Sequence, residues 1–232
     1  MKAEQLALVQ GWGHTRATLR RWNANPWPVL RGWALGSLAV TAALLTLTWI
    51  VAETTVPDPT RYSYPGITRD ATAHDFGFLL YRNGLVLALH ALACVAGFIA
   101  GSQLPAAARD YRGAVRRLHD AAGPAAMAFV AAATLFSLAT QAYALGNNAA
   151  SMAAQFDLDP AVLLLALLPH ALPELFALFL PLAAWTVASS RRSFDELLAA
   201  TLMTTAIAVP LLVLAASIET WVTPHLLVRL IG

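Results

Sequence analysis

The sequence predicts an all-α membrane protein, a bundle of five transmembrane helices. Hydrophobic residues make up 58% of the 232 positions and charged residues only 12%, whereas a soluble domain carries about 25% charged residues. The apolar residues are collected in stretches of about 20 or more, which is enough to cross a hydrocarbon layer of roughly 30 Å at 1.5 Å per helical residue. This composition excludes an ordinary soluble enzyme.

Five apolar stretches define the expected spans. They cover about 32–52, 76–101, 124–145, 160–189 and 197–222. The first stretch begins about 30 residues into the chain and lacks a small-residue cleavage site, so we expect a retained span rather than a signal peptide. Because the number of spans is odd, the two termini are expected on opposite sides of the membrane.

The basic residues predict the orientation. With a cytoplasmic N-terminus, eleven of them face the cytoplasm and three the other side, as the positive-inside rule requires. The eleven are Lys2, Arg16, Arg20, Arg21, Arg31, Arg109, Arg112, Arg116, Arg117, Arg191 and Arg192. The three are Arg61, Arg69 and Arg229. The C-terminus is therefore expected to be extracytoplasmic, and the net charge of +2 follows from topology and not from binding to nucleic acid.

We divide the chain into a basic amphipathic N-terminal segment, 1–31, on the cytoplasmic side, and a five-span membrane domain, 32–232. Apolar and small residues recur at helical spacing in the first segment. They are Leu8, Trp12, Thr15, Leu19 and Trp22. Such a helix lies on the lipid surface or packs on a partner or on the cytoplasmic loops. The prolines of Asn25-Pro-Trp-Pro28 end it.

Two connections present the main extracytoplasmic surface. Segment 53–75 is rich in proline and tyrosine, which is typical of turns, and a second loop is expected at 146–159. Glycines four residues apart, at Gly32 and Gly36 and at Gly97 and Gly101, allow helices to approach closely within the chain or in a homo-oligomer. The single cysteine, Cys94, excludes an intramolecular disulfide.

Ionisable residues inside the spans are the candidate functional residues. Each costs about 2.5–3.5 kcal/mol at the centre of a membrane helix, so each requires a partner or a wet cavity. In span 4, His170 and Glu174 stand one helical turn apart. Pro169, Pro173 and Pro181 in the same span predict a kinked or broken helix with a polar elbow.

Depth along each helix predicts which of these residues meet. At the helical rise, His90 and Glu174 both lie about 21 Å below the extracytoplasmic surface. We therefore predict an intramembrane polar cluster of His90, His170 and Glu174, with Asn83 on the same helix face as His90. Arg82 and Glu219 lie nearer the surface, about 9 and 5 Å deep, and are predicted to form an ion pair.

The polar cluster admits three interpretations. It is a hydrogen-bond network that fixes the helices, a pathway for transport or protons, or a zinc-dependent hydrolase site using His90, His170 and Glu174. The sequence has neither the H-E-x-x-H motif of zinc peptidases nor the Gly-x-Ser-x-Gly of serine hydrolases. We assign no catalytic residue and expect no cofactor, and the metal question stays open at this stage.

Two sequence blocks carry a family resemblance. Leu168-Pro-His-Ala-Leu-Pro-Glu-Leu175 and Ser217-Ile-Glu-Thr-Trp-Val-Thr-Pro224 resemble the Pro-His-Gly-x-x-Glu-Leu core and the Ile-Glu-x-Phe-x-Thr-Pro ending of the stage II sporulation protein M family. The dibasic pair Arg191 and Arg192 follows the first block, and Tyr81-Arg82-Asn83 resembles a further family segment. The resemblance covers about 74–224.

The resemblance identifies His170, Glu174 and Glu219 as the residues that stand at family motif positions. Ala171 departs from it, since the family usually has glycine there. The family implies a multi-pass protein of the bacterial cytoplasmic membrane that, in endospore formers, anchors peptidoglycan-cleaving partners and is not itself the hydrolase. Relatives also occur in bacteria that do not sporulate, often encoded near MoxR-type ATPases, so sporulation is not inferred.

These observations lead to the expectation of a non-enzymatic membrane scaffold whose partners are the lipid bilayer and other membrane or envelope proteins. A permease-like or proton-linked transporter component is the alternative, and an intramembrane zinc hydrolase is a lesser one.

Overall fold

The computed structural model describes residues 7–103 and 112–231, and these are helical apart from short connections. Seven α-helices follow one another in these residues, with two π-helical turns and one 3₁₀ turn. The α-helices are α1 (Ala7–Ala24), α2 (Trp27–Thr54), α3 (Ala73–Phe98), α4 (Gly113–Gln155), α5 (Pro160–Arg191), α6 (Leu197–Ser217) and α7 (Thr223–Ile231). The π turns are Ile99–Gln103 and Ile218–Val222, and the 3₁₀ turn is Phe194–Glu196.

Five helical stretches are long and apolar enough to cross a membrane, which is the number that the sequence predicted. They are Trp27–Thr54, Ala73–Ser102, Met127–Gln155, Pro160–Arg191 and Phe194–Ile231. The side on which each terminus lies stays a prediction. Two of the eleven basic residues that support it, Lys2 and Arg109, lie outside the described residues.

Contacts divide the chain into two compact units. Among the described residues, the first comprises 7–37, 87–103, 112–134 and 179–208, and the second comprises 38–86, 135–178 and 209–231. The N-terminal segment thus groups with parts of several spans, and the boundary at residue 31 stays a prediction.

In the first unit, α1 packs on the turn between α5 and α6. His14 Nε2 lies 2.8 Å from Asp195 Oδ2, and Arg21 forms an ion pair with Glu196. The space beside Gly11 is so small that a Cβ there would stand 2.8 Å from Leu198. Of the two alternatives for the N-terminal helix, the structure shows packing on a connecting loop.

Small residues allow close packing inside the first unit. A Cβ added at Gly97 would stand 2.7 Å from Trp185 Nε1, and one at Gly36 would stand 3.0 Å from the Ala183 side chain. Gly32 has open space beside it. Three of the four glycines in the paired spacings, including Gly101 against Phe194, therefore lie at contacts within this chain.

The second unit has its own apolar core, which brings together α2, α4, α5 and α7. Its buried members are Ala52, Ala149, Ala150, Ala153, Leu163 and Leu227. Gly146 lets α4 approach α2, because a Cβ there would stand 2.5 Å from Val51 and 2.8 Å from the carbonyl oxygen of Thr48.

The sequence predicted a kinked or broken helix in span 4; the structure shows no break there, and the kink stays a prediction. α5 is continuous from Pro160 to Arg191 and runs through Pro169, Pro173 and Pro181. Each proline removes only one hydrogen bond of the helical ladder. A broken turn in lipid would leave several backbone groups unsatisfied, at several kcal/mol each, so the continuous helix is the less costly solution.

The predicted loop 146–159 is also shorter than expected. α4 continues to Gln155, so only residues 156–159 connect it to α5. Polar side chains in this last part bond to the helix itself: Asn147 Nδ2 donates to the Tyr143 carbonyl and Ser151 Oγ to the Asn147 carbonyl. Such bonds satisfy polar side chains without ending the helix.

Candidate functional site

A cavity of about 600 Å³ in the second unit is the candidate functional site. Five of the residues predicted from the sequence line it: Arg82, Asn83, His170, Glu174 and Glu219. Leucines of α2, α3, α4 and α5 supply much of the remaining wall. Tyr62 and Phe78 line the cavity and are 45% and 53% exposed, so it opens to the surface of the unit.

Three structural elements present these polar side chains. α3 carries Arg82 and Asn83, and α5 carries His170 and Glu174 one turn apart, as the sequence predicted. Glu219 lies in the π turn Ile218–Val222. A π turn accommodates one residue more than an α-helical turn and is frequent at functional sites.

His170 is held by a hydrogen bond that the sequence analysis did not find. Its Nδ1 lies 2.9 Å from Thr223 Oγ1, and the imidazole tautomer decides which of the two atoms donates. His170 and Thr223 are 8% and 3% exposed. The bond therefore fixes the orientation of the imidazole at the cavity wall.

Two carboxylates share one arginine in this cavity. Glu174 and Glu219 lie close enough to repel each other, and the guanidinium of Arg82 attracts both. Arg82 makes no direct ion pair with Glu219, because the ion pairs of 4.0 Å or less among the described side chains are those of His14, Arg21 and Arg69. Its guanidinium carbon instead lies 5.9 Å from the ring centroid of Phe78, which is within cation–π range.

Two further polar groups, Asn83 and Thr48, lie buried at the cavity wall. The Asn83 amide interacts with the Glu174 side chain, although its Nδ2 makes no hydrogen bond of regular geometry. Thr48 Oγ1 has no hydrogen-bond partner, and Asn83 and Thr48 are 9% and 3% exposed. An unsatisfied buried polar group costs about 1–3 kcal/mol, so Thr48 Oγ1 is a site where a ligand atom would be stabilised.

His90 belongs to the first unit and not to the second. Its ring lies 5.7 Å from that of Phe179, at an interplanar angle of 54°, and it is 5% exposed. Its predicted contact with Glu174 and His170 stays a prediction. Within residues 7–103 and 112–231, no group of three or more His, Cys, Asp or Glu side chains is arranged to hold a metal ion.

Segment 55–72, between α2 and α3, covers one side of the cavity through Tyr62–Pro65 and Ile67. The backbone N–H of Asp58 donates to Ser151 Oγ at 3.0 Å. Gln155 accepts from the N–H of Tyr62 and donates to its carbonyl, each at 2.9 Å. The segment is thus attached to α4 by three hydrogen bonds.

Its other end is fixed by a tight turn and an ion pair. Gly66 has φ +78°, a conformation that favours glycine, and a Cβ there would stand 2.5 Å from Cγ of Pro224. Arg69 makes hydrogen bonds with the carboxylate of Asp75 at the start of α3. These bonds raise the pKa of Arg69.

A hydrogen-bonded carboxylate stabilises the middle of the segment. Asp58 accepts from the N–H of Thr60 and from the hydroxyl of Tyr62, both at 2.8 Å. The pKa of Asp58 is lowered, first by the bond from the Thr60 backbone and then by the bond from Tyr62. The same carboxylate raises the pKa of Tyr62.

The fold and the cavity together define a helical, membrane-type protein with a polar cavity. Residues 122–224 match the model of a family described as Stage II sporulation protein M. This match confirms the resemblance that the motifs around His170, Glu174 and Glu219 predicted, and that part of the chain is SpoIIM-like. Arg82 and Asn83 lie outside the matched range. No curated protein and no solved structure gives a significant match.

Proposed function

We propose that this chain is a non-enzymatic scaffold of the bacterial cytoplasmic membrane, of the stage II sporulation protein M type. Its role is to position membrane or envelope partners, and its docking surface is segment 55–72. In the orientation predicted from the basic residues, this segment faces the extracytoplasmic side.

The proposal rests on the ordered conformation of segment 55–72. The segment has no helix, yet its hydrogen bonds to Ser151 and Gln155 and the contact of Gly66 with Pro224 hold it in one conformation. Residues 56–63 are all exposed, and Val56 is 89% exposed. A surface that is ordered before binding loses little conformational entropy when a partner docks.

Site-specific photocrosslinking in native membranes tests this role. A photoreactive amino acid at Val56 is expected to give a protein adduct, identified by mass spectrometry. The matched control is the same amino acid at Leu92 of α3, which is 63% exposed but lies on a membrane-spanning stretch. Absence of adducts at Val56, Pro59 and Arg61, or an equal yield of the same adduct at Leu92, would contradict the proposal.

A transport component is a second candidate, because the cavity gathers His170, Glu174, Glu219 and Arg82 on spanning helices. Intramembrane ionisable residues in a cavity are typical of substrate and proton pathways. Proton flux into proteoliposomes, followed with a pH-sensitive dye, tests it. A flux that persists unchanged in Glu174→Gln, or no flux in the wild type, removes its basis.

The zinc hydrolase is the weakest of the three candidates, since the part of the chain described here gathers no group of metal-ligating side chains. Elemental analysis of the purified protein decides it. One zinc ion per chain that is lost in His170→Ala would revive the hydrolase, and a content near zero would remove it.

A further inference from the structure

The third membrane-spanning stretch, Met127–Gln155 of α4, is the one that the rest of the described chain covers least. Only 6% of its apolar stretch is buried, against 22–33% in the other four spans. It also has the lowest mean hydropathy of the five. A face turned to lipid should be the most apolar part of a membrane protein, because a polar side chain finds no partner there. The combination therefore indicates that protein covers this face.

An aromatic side chain stands at every seventh position along the exposed face of α4. Phe129, Phe136 and Tyr143 are 65–74% exposed. Because seven residues make nearly two turns of an α-helix, the three rings form one ridge along the helix. A seven-residue repeat is the pattern that keeps two helices in contact as a left-handed pair.

Small residues occupy the intervals between the rings. They are Ala132 and Ala133 in the first interval and Ala139 and Thr140 in the second, and all four are exposed. Small side chains let a facing helix approach closely, so a ring from that helix fits between them. Thr140 Oγ1 donates to the Ser137 carbonyl at 2.9 Å, which leaves its lone pairs to accept a hydrogen bond from a facing helix. The same face thus presents both the projections and the recesses of a helix–helix contact.

A second copy of this chain is the occupant that these features fit. A two-fold contact requires a surface that is complementary to itself, and this face carries rings and recesses in alternation. Residues 121–155 contain no Asp, Glu, Lys or Arg, so two copies meet there without repulsion between like charges. Both copies have the same orientation in the membrane, so their α4 helices are parallel.

The area of the face sets how far the contact must extend. An aromatic side chain buries about 150–250 Å², so the three rings offer roughly 400 Å² in each copy. A stable interface buries about 800 Å² on each partner. The rings thus supply about half of that area, and the exposed residues between and beside them, such as Leu135, add to it. A stable pair therefore requires contact along the whole face and not at one ring.

We propose that α4 forms the contact between two copies of this chain in the membrane, as a parallel helix pair along residues 129–143. Phe136 of each copy packs between Ala133 and Thr140 of the other, at the centre of the contact. The inference is independent of the scaffold role, because it concerns α4 and not the exposed face of segment 55–72.

Disulfide formation in native membranes tests the proposal. The single cysteine is first replaced, in Cys94→Ala, and one new cysteine is then introduced in each variant. Thr140→Cys is expected to give a disulfide-linked dimer on mild oxidation, since equivalent positions at the seam of a parallel pair lie within disulfide range. Leu92→Cys is the matched control, because Leu92 is 63% exposed on another spanning helix, α3. Absence of the dimer in Thr140→Cys, or an equal yield in Leu92→Cys, would overturn the proposal.

Energy transfer between copies labelled at the amino terminus measures the strength of the contact. The purified full chain is reconstituted in liposomes of phosphatidylethanolamine and phosphatidylglycerol over a range of protein-to-lipid ratios. Phe136→Ala is expected to raise the ratio needed for half-maximal transfer about tenfold or more, because a few central aromatic residues dominate such contacts. Leu92→Ala should leave this ratio unchanged.

The other occupants of the face give different results. Transfer in the wild type no greater than random proximity predicts would show that lipid or a different protein covers the face, and it would overturn the proposal. So would equal shifts of the half-maximal ratio in Phe136→Ala and Leu92→Ala. The wild-type measurement holds even if a variant fails to fold.

Discussion

His170 and Thr223 stand 53 positions apart in the chain and are joined by a hydrogen bond of 2.9 Å between Nδ1 and Oγ1. The two residues belong to the two sequence blocks that resemble the sporulation family. This hydrogen bond gives a physical reason why the two blocks occur together in one sequence. It fixes the start of α7 against α5 beside the cavity.

Replacing Thr223 with valine removes this hydrogen bond while keeping the shape of the side chain. We expect Thr223→Val to destabilise the protein by about 1 kcal/mol, the usual size of a side-chain hydrogen bond between membrane helices. Thermal unfolding in detergent measures the change. Thr223→Ser keeps the hydroxyl and is the control; equal stability of the Val and Ser variants would show that the bond contributes nothing.

Gly66 is expected to tolerate no side chain. Gly66→Ala places a Cβ against Pro224 and forces φ +78° on a residue that disfavours it, so we expect a loss of about 1–3 kcal/mol. Limited proteolysis within segment 55–72 should become faster. Gly77→Ala is the matched control, since nothing lies within 4 Å of its added Cβ. Similar proteolysis of the two variants would contradict the prediction.

The middle of segment 55–72 should become less ordered in acid. The folded pKa of Asp58 lies below its ordinary value of 3.8, so its contribution to stability is complete above that value and is lost as the pH falls through the lower, folded pKa. Hydrogen exchange at the Thr60 amide, corrected for the intrinsic effect of pH, should show protection lost there. In Asp58→Asn this pH-dependent loss of protection should disappear. A pH profile of the variant equal to that of the wild type would show that Asp58 does not cause the loss.

Arg82 is expected to contribute most to the stability of the protein when both Glu174 and Glu219 are present. Arg82→Gln leaves Glu174 and Glu219 to repel each other without compensation. In a Glu219→Gln background we expect its destabilising effect to be smaller by about 0.5–2 kcal/mol, a coupling typical of neighbouring sites. Unfolding of the four proteins of this double-mutant cycle measures it, and strictly additive losses would exclude the coupling.

The sequence predicted the spans and most charged residues of the cavity, because ionisable groups in apolar stretches are rare and must find a cavity or a partner. It did not predict Thr48 or Thr223. A threonine in a helix usually satisfies itself with a carbonyl one turn back, as Thr46 does with Ala42. The sequence alone therefore does not distinguish a threonine at a cavity wall from a threonine elsewhere in a helix.

Two predictions concern how a helix continues. Pro169, Pro173 and Pro181 predicted a kinked or broken helix, and α5 is not broken; Asn147 was expected in a loop but lies in α4. Propensities measured in water understate how strongly lipid favours an unbroken backbone. The π turn at Ile218–Val222 has no sequence signature of its own, because it depends on which partners the neighbouring side chains meet.

That π turn sets the rotational phase of everything after it. If Ile218–Val222 were wound as ordinary α-helix with no residue removed, the extra residue would add its own rotation and turn α7 by about 100° about its axis. Thr223 would then leave His170, and Leu227, which is 1% exposed, would swing out of the apolar core. The wider winding of this one turn is thus what keeps the last helix facing its neighbours.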